Sequence, residues 1–199
     1  SEIEEACVVA VSDLNENRLR LVKNRYPSID ITTDYRQLLS KNDIDAVIIA
    51  TPVSAHYPLA LEALRAGKHV FLEKPLTETS QQGIELIEEA EKRNLLLHVD
   101  HTFIYTSAVR KMRELVEKGE LGDLYYYDSV RVNLGLFQPD VNVIWDLAVH
   151  DLSIMNYVFP LKLLAVSATG TNHVPGKPAN IAFLTLYFEN NAIAHFHVN

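Results

Sequence analysis

One stretch constrains the fold of this chain more than any other: residues 46–76, AVIIATPVSAHYPLALEALRAGKHVFLEKPL. Residues 45–50 form an apolar run with β-branched side chains, which is typical of a strand buried on both faces. A proline then ends this strand, a serine can cap a helix, and a glycine can end that helix. Residues 69–72 are predicted to form a second buried strand. Glu73 and Lys74 therefore follow a strand at its carboxyl end, where parallel sheets place ligand-binding residues.

Strands and helices alternate along the rest of the first half of the chain. The apolar periodicity predicts strands at residues 6–12, 29–32 and 95–99, and helices at residues 15–26, 34–40 and 79–94. In the last of these helices, Ile84, Ile87 and Ala90 are predicted to face the core. Alternation at this spacing predicts an α/β domain over residues 1–100 with a Rossmann-type, doubly wound parallel sheet.

The start of the chain differs from that of a complete dinucleotide-binding sheet. In such a sheet the first strand lies at the centre, and the glycine-rich turn after it carries the cofactor pyrophosphate. This chain has no glycine before Gly67 and no G-x-G-x-x-G pattern. We therefore expect a strand, turn and helix, roughly 30 residues, to precede Ser1 in the full protein. The chain also stops within a predicted strand, so we expect further residues after Asn199.

After Val99 the pattern becomes that of a second domain, residues 101–199. Helices are predicted at residues 107–121 and 145–159, and strands at residues 124–133, 162–171, 180–189 and 191–198. Consecutive strands without intervening helices predict an α+β domain whose sheet is mainly antiparallel and open on one face. The strand at residues 124–133 is rich in tyrosine, and an aromatic open face is commonly covered by a partner. We therefore expect a homo-oligomer, either a homodimer or a homotetramer.

Charge and composition exclude several classes of protein. The net charge is −8, with acidic residues spread along the chain, which argues against nucleic acid as a partner. No apolar run approaches the roughly 20 residues that span a bilayer, and no signal peptide opens the chain. The single cysteine, Cys7, is predicted to be buried in the first strand. These features predict a soluble cytoplasmic protein with no membrane partner.

Polar residues follow two of the predicted strands. Asp13 ends the first one, where a carboxylate can bind the adenosine ribose hydroxyls and repel a 2′-phosphate, which favours NAD over NADP. The alternative is an ordinary cap for the next helix. Thr51, Pro52 and His56 follow the strand at residues 45–50, where helix N-terminal N–H groups suit an anion. Simple helix capping is the alternative there too.

Three further side chains have the chemistry of a catalytic site. Lys74 at a strand end can exchange hydrogen bonds with a substrate hydroxyl, although a surface Glu–Lys pair is the alternative. Asp146 and His150 lie four residues apart on an otherwise apolar helix, so they share one face and need a cleft or a partner. Histidine suits proton transfer near neutral pH, and a structural core histidine is the alternative. Two pairs of histidines, His98 with His101 and His195 with His197, have loose metal-ligand spacing. Neither pair has convincing further ligands, so no metal site is predicted.

Three strings, in this order, resemble one family. ATPVSAH, ALRAGKHVFLEKPL and WDLAVHDLSIM are similar to sequences of the glucose–fructose oxidoreductase, inositol dehydrogenase and rhizopine catabolism (Gfo/Idh/MocA) family, from about Val8 to the end of the chain. The resemblance implies an NAD(P)-dependent oxidoreductase, and Asp13 makes NAD the favoured cofactor, with NADP less favoured. It further implies hydride transfer between nicotinamide and a hydroxyl-bearing carbon of a sugar, nucleotide sugar or cyclic polyol.

The resemblance also implies roles for individual residues. It implies that Lys74, Asp146 and His150 form the catalytic group at the hydride-transfer site. The implied cofactor-binding residues are Asp13, Thr51, Pro52, His56, Glu73, Lys74 and Thr102. The chain departs from the family at residues 141–145, where glycines often precede the catalytic aspartate. It also departs at Thr102 and Ile104, which align with a frequent asparagine and a frequent arginine. Two alternatives keep the same fold: an NAD-binding sensor without turnover, and a lyase or glycosidase that uses NAD transiently.

Overall fold

The computed structural model describes residues 4–133 and 141–199, and its elements follow the predicted order. The strands are β1 (Ala10–Ser12), β2 (Asp30–Thr32), β3 (Ala46–Ile49), β4 (His69–Leu72), β5 (Leu97–Val99), β6 (Tyr126–Arg131), β7 (Leu163–Thr171), β8 (Ile181–Phe188) and β9 (Ile193–Val198). The α-helices are α1 (Glu16–Arg25), α2 (Arg36–Leu39), α3 (Val53–Arg65), α4 (Ser80–Arg93), α5 (Ser107–Glu117) and α6 (Val149–Val158). A π-helical turn, Ile144–Ala148, precedes α6. Among the described residues no helix is both long and apolar enough to cross a bilayer.

The first five strands are all parallel, which confirms the Rossmann-type prediction. They form two sheets, β1 with β2 and β3-β4-β5, rather than a single one. Among the described strands, no hydrogen-bonded pair joins these two sheets. One face of the three-stranded sheet packs against α3 and α4 in an apolar core that includes Leu64, Leu72 and Leu86. This core holds the carboxyl ends of β3, β4 and β5 side by side.

Two predictions about buried side chains are wrong. Ile84 and Ile87 of α4 are 49% and 47% exposed, and the buried stripe of this helix runs through Gly83, Leu86 and Ala90 instead. Glycine allows the close approach, because a Cβ at Gly83 would lie only 3.3 Å from the side chain of Leu76. Cys7 is exposed, because β1 begins three residues after it.

The last four strands form a mixed sheet in the order β6-β9-β8-β7. Its pairs are antiparallel except β6 with β9, which is parallel, so the mainly antiparallel prediction is confirmed with one exception. The inner face packs against α6 and the π-helical turn, with Phe196 and Phe188 at the centre of the core. The outer face exposes apolar side chains from three of the strands: Tyr126, Val130, Phe183, Tyr187 and Ile193. The predicted open face therefore exists.

Candidate active site

Lys74 connects the parallel sheet to the second half of the chain. It follows β4, and its Nζ donates a hydrogen bond to the backbone oxygen of Asp146 at 2.8 Å. The same Nζ lies 3.2 Å from Oδ1 of Asp146 in an ion pair whose two side chains are 21% and 22% exposed. The Glu73 carboxylate accepts a bond from the Lys74 N–H at 3.2 Å. The predicted pair of Lys74 and Asp146 is thus in direct contact, and part of it remains accessible to a ligand.

The π-helical turn Ile144–Ala148 places Asp146 at this contact. The N–H of Val149 donates to the carbonyl of Ile144, five residues earlier, where an α-helix would use a four-residue step. The side chain of Asn142 accepts the N–H groups of Ile144 and Trp145 at 3.0 and 3.1 Å, and so caps the turn. The Trp145 indole then donates to the carbonyl of Thr77 at 2.9 Å. Single π-turns are frequent at functional sites, and two successive residues of this one, Trp145 and Asp146, bond to Thr77 and to Lys74.

His150 lies one helical turn after Asp146, at the start of α6. The ring edge of Phe103 meets its imidazole at a T-shaped angle of 81°, with the centroids 5.0 Å apart. Burial first, and then the positive charges of Lys74 and Arg131, lower the pKa of His150 from 6.5 to about 4, against an opposing effect of Asp151. The imidazole is therefore neutral near pH 7 and can accept a proton. Among the described residues its Nδ1 has no hydrogen-bond partner.

The carboxyl edge of the parallel strands carries exposed polar residues. Thr51 and Pro52 follow β3 and are exposed, and Pro52 rather than the predicted serine occupies the N-cap position of α3. Thr102 is exposed in a short 3-10 turn after β5. Since β3, β4 and β5 are neighbours, these residues share one edge with Glu73.

Asp13 occupies the corresponding position in the two-stranded sheet. Its Oδ1 accepts the N–H of Asn15 at 2.8 Å, just before α1, and Asn15 is the residue that caps that helix. Its Oδ2 lies 3.5 Å from the guanidinium of Arg18, and the Asp13 side chain is 32% exposed. The carboxylate therefore supports the local turn and still presents an accessible negative charge at the end of β1.

His56 is predicted from the sequence to contact the cofactor, and the structure places its imidazole inside the protein. It is only 1% exposed, and its ring nitrogens lie within hydrogen-bond distance of two backbone carbonyls. Nδ1 is 2.8 Å from the oxygen of Pro75, and Nε2 is 2.9 Å from the oxygen of Thr51. Its polar atoms are thus occupied inside the protein. His56 instead joins the loop after β3 to the residue after Lys74 and so positions both.

Three residues of this region were not predicted from the sequence. Phe103 packs against His150, and Arg131 forms a two-point ion pair with Asp151, the residue after His150. The sequence does contain a signal for this ion pair. Asp151 is a second acidic residue on an apolar helix, and it needs a charged or polar partner as much as Asp146 does.

A cavity of about 450 Å³ lies between α5 and α6. Its lining includes His101, Arg113, Ser153 and Tyr157, but not Lys74, Asp146 or His150. Among the described residues, no group of three or more His, Cys, Asp or Glu side chains is placed to hold a metal ion.

Comparison with known proteins gives matches over most of the chain. Residues 2–101 match the model of the GFO/IDH/MocA oxidoreductase family with its NAD-binding Rossmann fold, and residues 109–199 match a GFO/IDH/MocA C-terminal domain. The chain is 27% identical over 208 residues to myo-inositol 2-dehydrogenase of Thermotoga maritima, covering 96% of this chain and 60% of that enzyme. It is 43% identical over 90 residues to a dTDP-3,4-didehydro-2,6-dideoxy-alpha-D-glucose 3-reductase of Streptomyces violaceoruber, covering 45% of this chain and 26% of that enzyme.

The fold also matches solved structures. The apo structure of scyllo-inositol dehydrogenase from Lactobacillus casei superposes with a TM-score of 0.86 at 21% identity. The match covers 100% of this chain and 62% of that one.

Proposed function

This chain belongs to the Gfo/Idh/MocA oxidoreductase family, and we propose on that basis that the protein is a nicotinamide-dependent dehydrogenase. Its reaction would pass a hydride between the nicotinamide ring and a hydroxyl-bearing carbon of a cyclic polyol, sugar or nucleotide sugar. The observation that carries the proposal is the contact of Lys74 with Asp146, one helical turn before a neutral, half-buried His150. We further propose that the site lies between two domains, residues 1–100 and 101–199.

Each of the three residues has a distinct proposed role. His150 accepts the proton of the substrate hydroxyl during oxidation and returns it during reduction, which its neutral form allows. Lys74 donates a hydrogen bond to that oxygen and stabilises the negative charge that develops on it. Asp146 holds the ammonium of Lys74 in place through its backbone oxygen and its carboxylate. The nicotinamide, when bound, supplies the redox chemistry by taking or giving the hydride.

The residues at the carboxyl edge fit a dinucleotide. Asp13 offers an accessible carboxylate for ribose hydroxyls, and Thr51 and Thr102, exposed after β3 and β5, offer hydroxyls. Glu73 lies half-buried beside Lys74. We propose NAD rather than NADP, because the negative charge of Asp13 disfavours a 2′-phosphate. Arg18, 3.5 Å from that carboxylate, is the residue that would work against this preference.

The relatives support a substrate whose reacting group is a neutral hydroxyl or carbonyl on a ring. One is a myo-inositol 2-dehydrogenase, and another reduces a dTDP-linked deoxysugar. The proposed site agrees with a neutral reacting group, because the charge of Lys74 is already balanced by Asp146. An anionic group at the reacting carbon would have to compete with that carboxylate.

The proposal predicts reduction of NAD by at least one compound from a panel of inositols, sugars and nucleotide sugars. The measurement is the increase in NADH absorbance under steady-state conditions, repeated with NADP. We expect a higher kcat/KM with NAD, and we expect Asp13→Asn to weaken NAD binding with less effect on turnover at saturation. Substrate consumption with NAD bound but without net NADH formation would instead favour the lyase or glycosidase alternative. NAD binding without turnover of any compound in the panel would favour the sensor.

We also propose that the open face of the mixed sheet is covered by a second copy of the chain, giving a homodimer or homotetramer. On this face Phe183 of β8 stacks with His195 and His197 of β9, with centroid distances of 6.3 and 4.5 Å. Its side chain and those of Tyr187 and Ile193, which are paired across β8 and β9, are each more than 40% exposed on this face. Exposed apolar side chains on a sheet face are unfavourable in water, and a partner that covers them removes this cost.

The assembly prediction is an oligomeric mass by light scattering at micromolar concentration. Phe183→Glu should give the monomer mass, because it would bury a carboxylate in the interface. Leu21→Glu, on the exposed side of α1 and 70% exposed in the native protein, is the matched control and should leave the mass unchanged. A native protein of monomer mass would contradict the proposed interface.

A further inference from the structure

Arg131 and Asp151 form a buried ion pair directly beside His150. The guanidinium Nε lies 2.6 Å from Oδ2 of Asp151, and its second nitrogen lies 3.0 Å from Oδ1. The Asp151 side chain is only 8% exposed and that of Arg131 is 27% exposed. Arg131 comes from the end of β6, whereas Asp151 is the residue after His150 in α6. This two-point geometry restrains both side chains far more than a single contact would.

A second set of contacts connects the same arginine to the imidazole. The guanidinium carbon of Arg131 lies 4.9 Å from the ring centroid of Phe103, which is within the range of a cation–π interaction. Phe103 in turn meets the imidazole of His150 edge-on, with a centroid distance of 5.0 Å. Arg131 is therefore connected to His150 in two ways. It bonds to Asp151, the next residue of α6, and it contacts Phe103, which packs on the imidazole.

We propose that Arg131 and Asp151 are positioning residues for His150. Phe103 and the α6 backbone hold the imidazole in one orientation, and the two opposite charges balance each other at its side. The inference rests on the proposed role of His150 as proton acceptor, and it adds residues that do not themselves touch the substrate. A single charge beside His150 would shift its protonation. The Arg131–Asp151 pair instead supports the residues around the imidazole, and its two charges largely cancel there.

The charged and titratable groups around His150 define what each variant should do. Lys74, Arg131 and His101 lower the pKa of His150, and Asp151 raises it, in addition to the larger lowering by burial. Neutralising Arg131 should therefore raise this pKa, because it removes a positive charge and leaves Asp151 unbalanced. Neutralising Asp151 should lower the pKa of His150, because it removes a negative charge and leaves Arg131 unbalanced. An ion pair whose charges do not act on His150 would produce neither shift.

The test compares Arg131→Gln with Asp151→Asn in the full protein. Titration of His150 by NMR, assigned with His150→Gln, should give a higher midpoint in Arg131→Gln and a lower one in Asp151→Asn, each by about half a pH unit or more. The acidic limb of kcat/KM for oxidation should move in the same two directions. The double variant Arg131→Gln/Asp151→Asn, which buries no unpaired charge, should return the midpoint towards the native value.

Controls separate this inference from general damage and from failure of the proposed function. Arg36→Gln breaks another arginine–carboxylate pair, with Glu62 at 2.9 Å between α2 and α3, and should leave the His150 midpoint unchanged. Arg131→Lys keeps the charge but loses the two-point geometry, so it should preserve the midpoint and lower turnover. Equal or same-direction midpoints in the two single variants would overturn the inference. The NMR result decides this even if His150→Gln retains turnover, which would overturn the proposed function alone.

Discussion

Replacing His150 with glutamine is expected to lower turnover in polyol oxidation by about 10²–10⁴-fold, the usual contribution of a positioned general base. Glutamine keeps the approximate size and polarity of histidine but cannot accept the hydroxyl proton near neutral pH. The dissociation constant of NAD should be nearly unchanged, because the residues proposed to bind it lie at the edge of the parallel strands. Steady-state kinetics with the best substrate of the panel and NAD titration by fluorescence measure the two quantities.

The pH dependence gives this prediction a second readout. The pKa of His150 is lowered from 6.5 to about 4, so the neutral base persists as the pH falls through 6.5 and is lost only near the lower value. Native kcat/KM for oxidation should therefore stay constant well below pH 6.5 and fall only as His150 becomes protonated. His150→Gln should lack this acidic fall in kcat/KM, the acidic limb of the profile. His173→Gln, at an exposed position after β7, is the matched control and should keep both the rate and the limb. Full turnover in His150→Gln would make this histidine structural.

Much of this architecture is readable from the sequence because it depends on local patterns. The apolar runs around residues 46–49 and 69–72 and the turns after them predict both strands and place Lys74 at a strand end. The meeting of Lys74 with Asp146, 72 residues later, is a different matter. Periodicity does not specify which distant side chains touch, and only the resemblance to a family grouped these two residues.

Contacts between distant residues also explain where the structure departs from local patterns. His56 lies in the first turn of α3, where the sequence suggests an anion site, and the carbonyl of Pro75, 19 residues away, helps to occupy its ring. Helix α4 has two apolar faces that could pack on the core, one with Ile84 and Ile87 and one with Gly83 and Leu86. The second is the buried one. A residue without a side chain carries no apolar signal, yet it allows the closest approach. Nor does local sequence indicate the π-helical turn, which depends on tertiary contacts such as the bond from Trp145 to Thr77.

Replacing Lys74 with methionine is expected to lower turnover by a similar factor, about 10²–10⁴-fold, with NAD affinity again nearly unchanged. Methionine retains a chain of comparable length but donates no hydrogen bond to the reacting oxygen. It also leaves the Asp146 carboxylate, 22% exposed, without its cation at the contact between the two halves of the chain. Lys41→Met, which removes an exposed ion pair with Asp30 at 2.6 Å, is the control and should keep native turnover.

A comparison with Asp146→Asn tests how Lys74 is held. The ammonium donates to the backbone oxygen of Asp146 at 2.8 Å and to its carboxylate at the longer distance of 3.2 Å. Asparagine removes the negative charge but leaves the backbone acceptor, so Lys74 should stay near its native position. We therefore expect a smaller loss of turnover in Asp146→Asn than in Lys74→Met, measured with the same substrate and saturating NAD. A loss in Asp146→Asn as large as in Lys74→Met would mean that the carboxylate contacts the substrate or the proton itself, and the supporting role proposed for Asp146 would then be wrong.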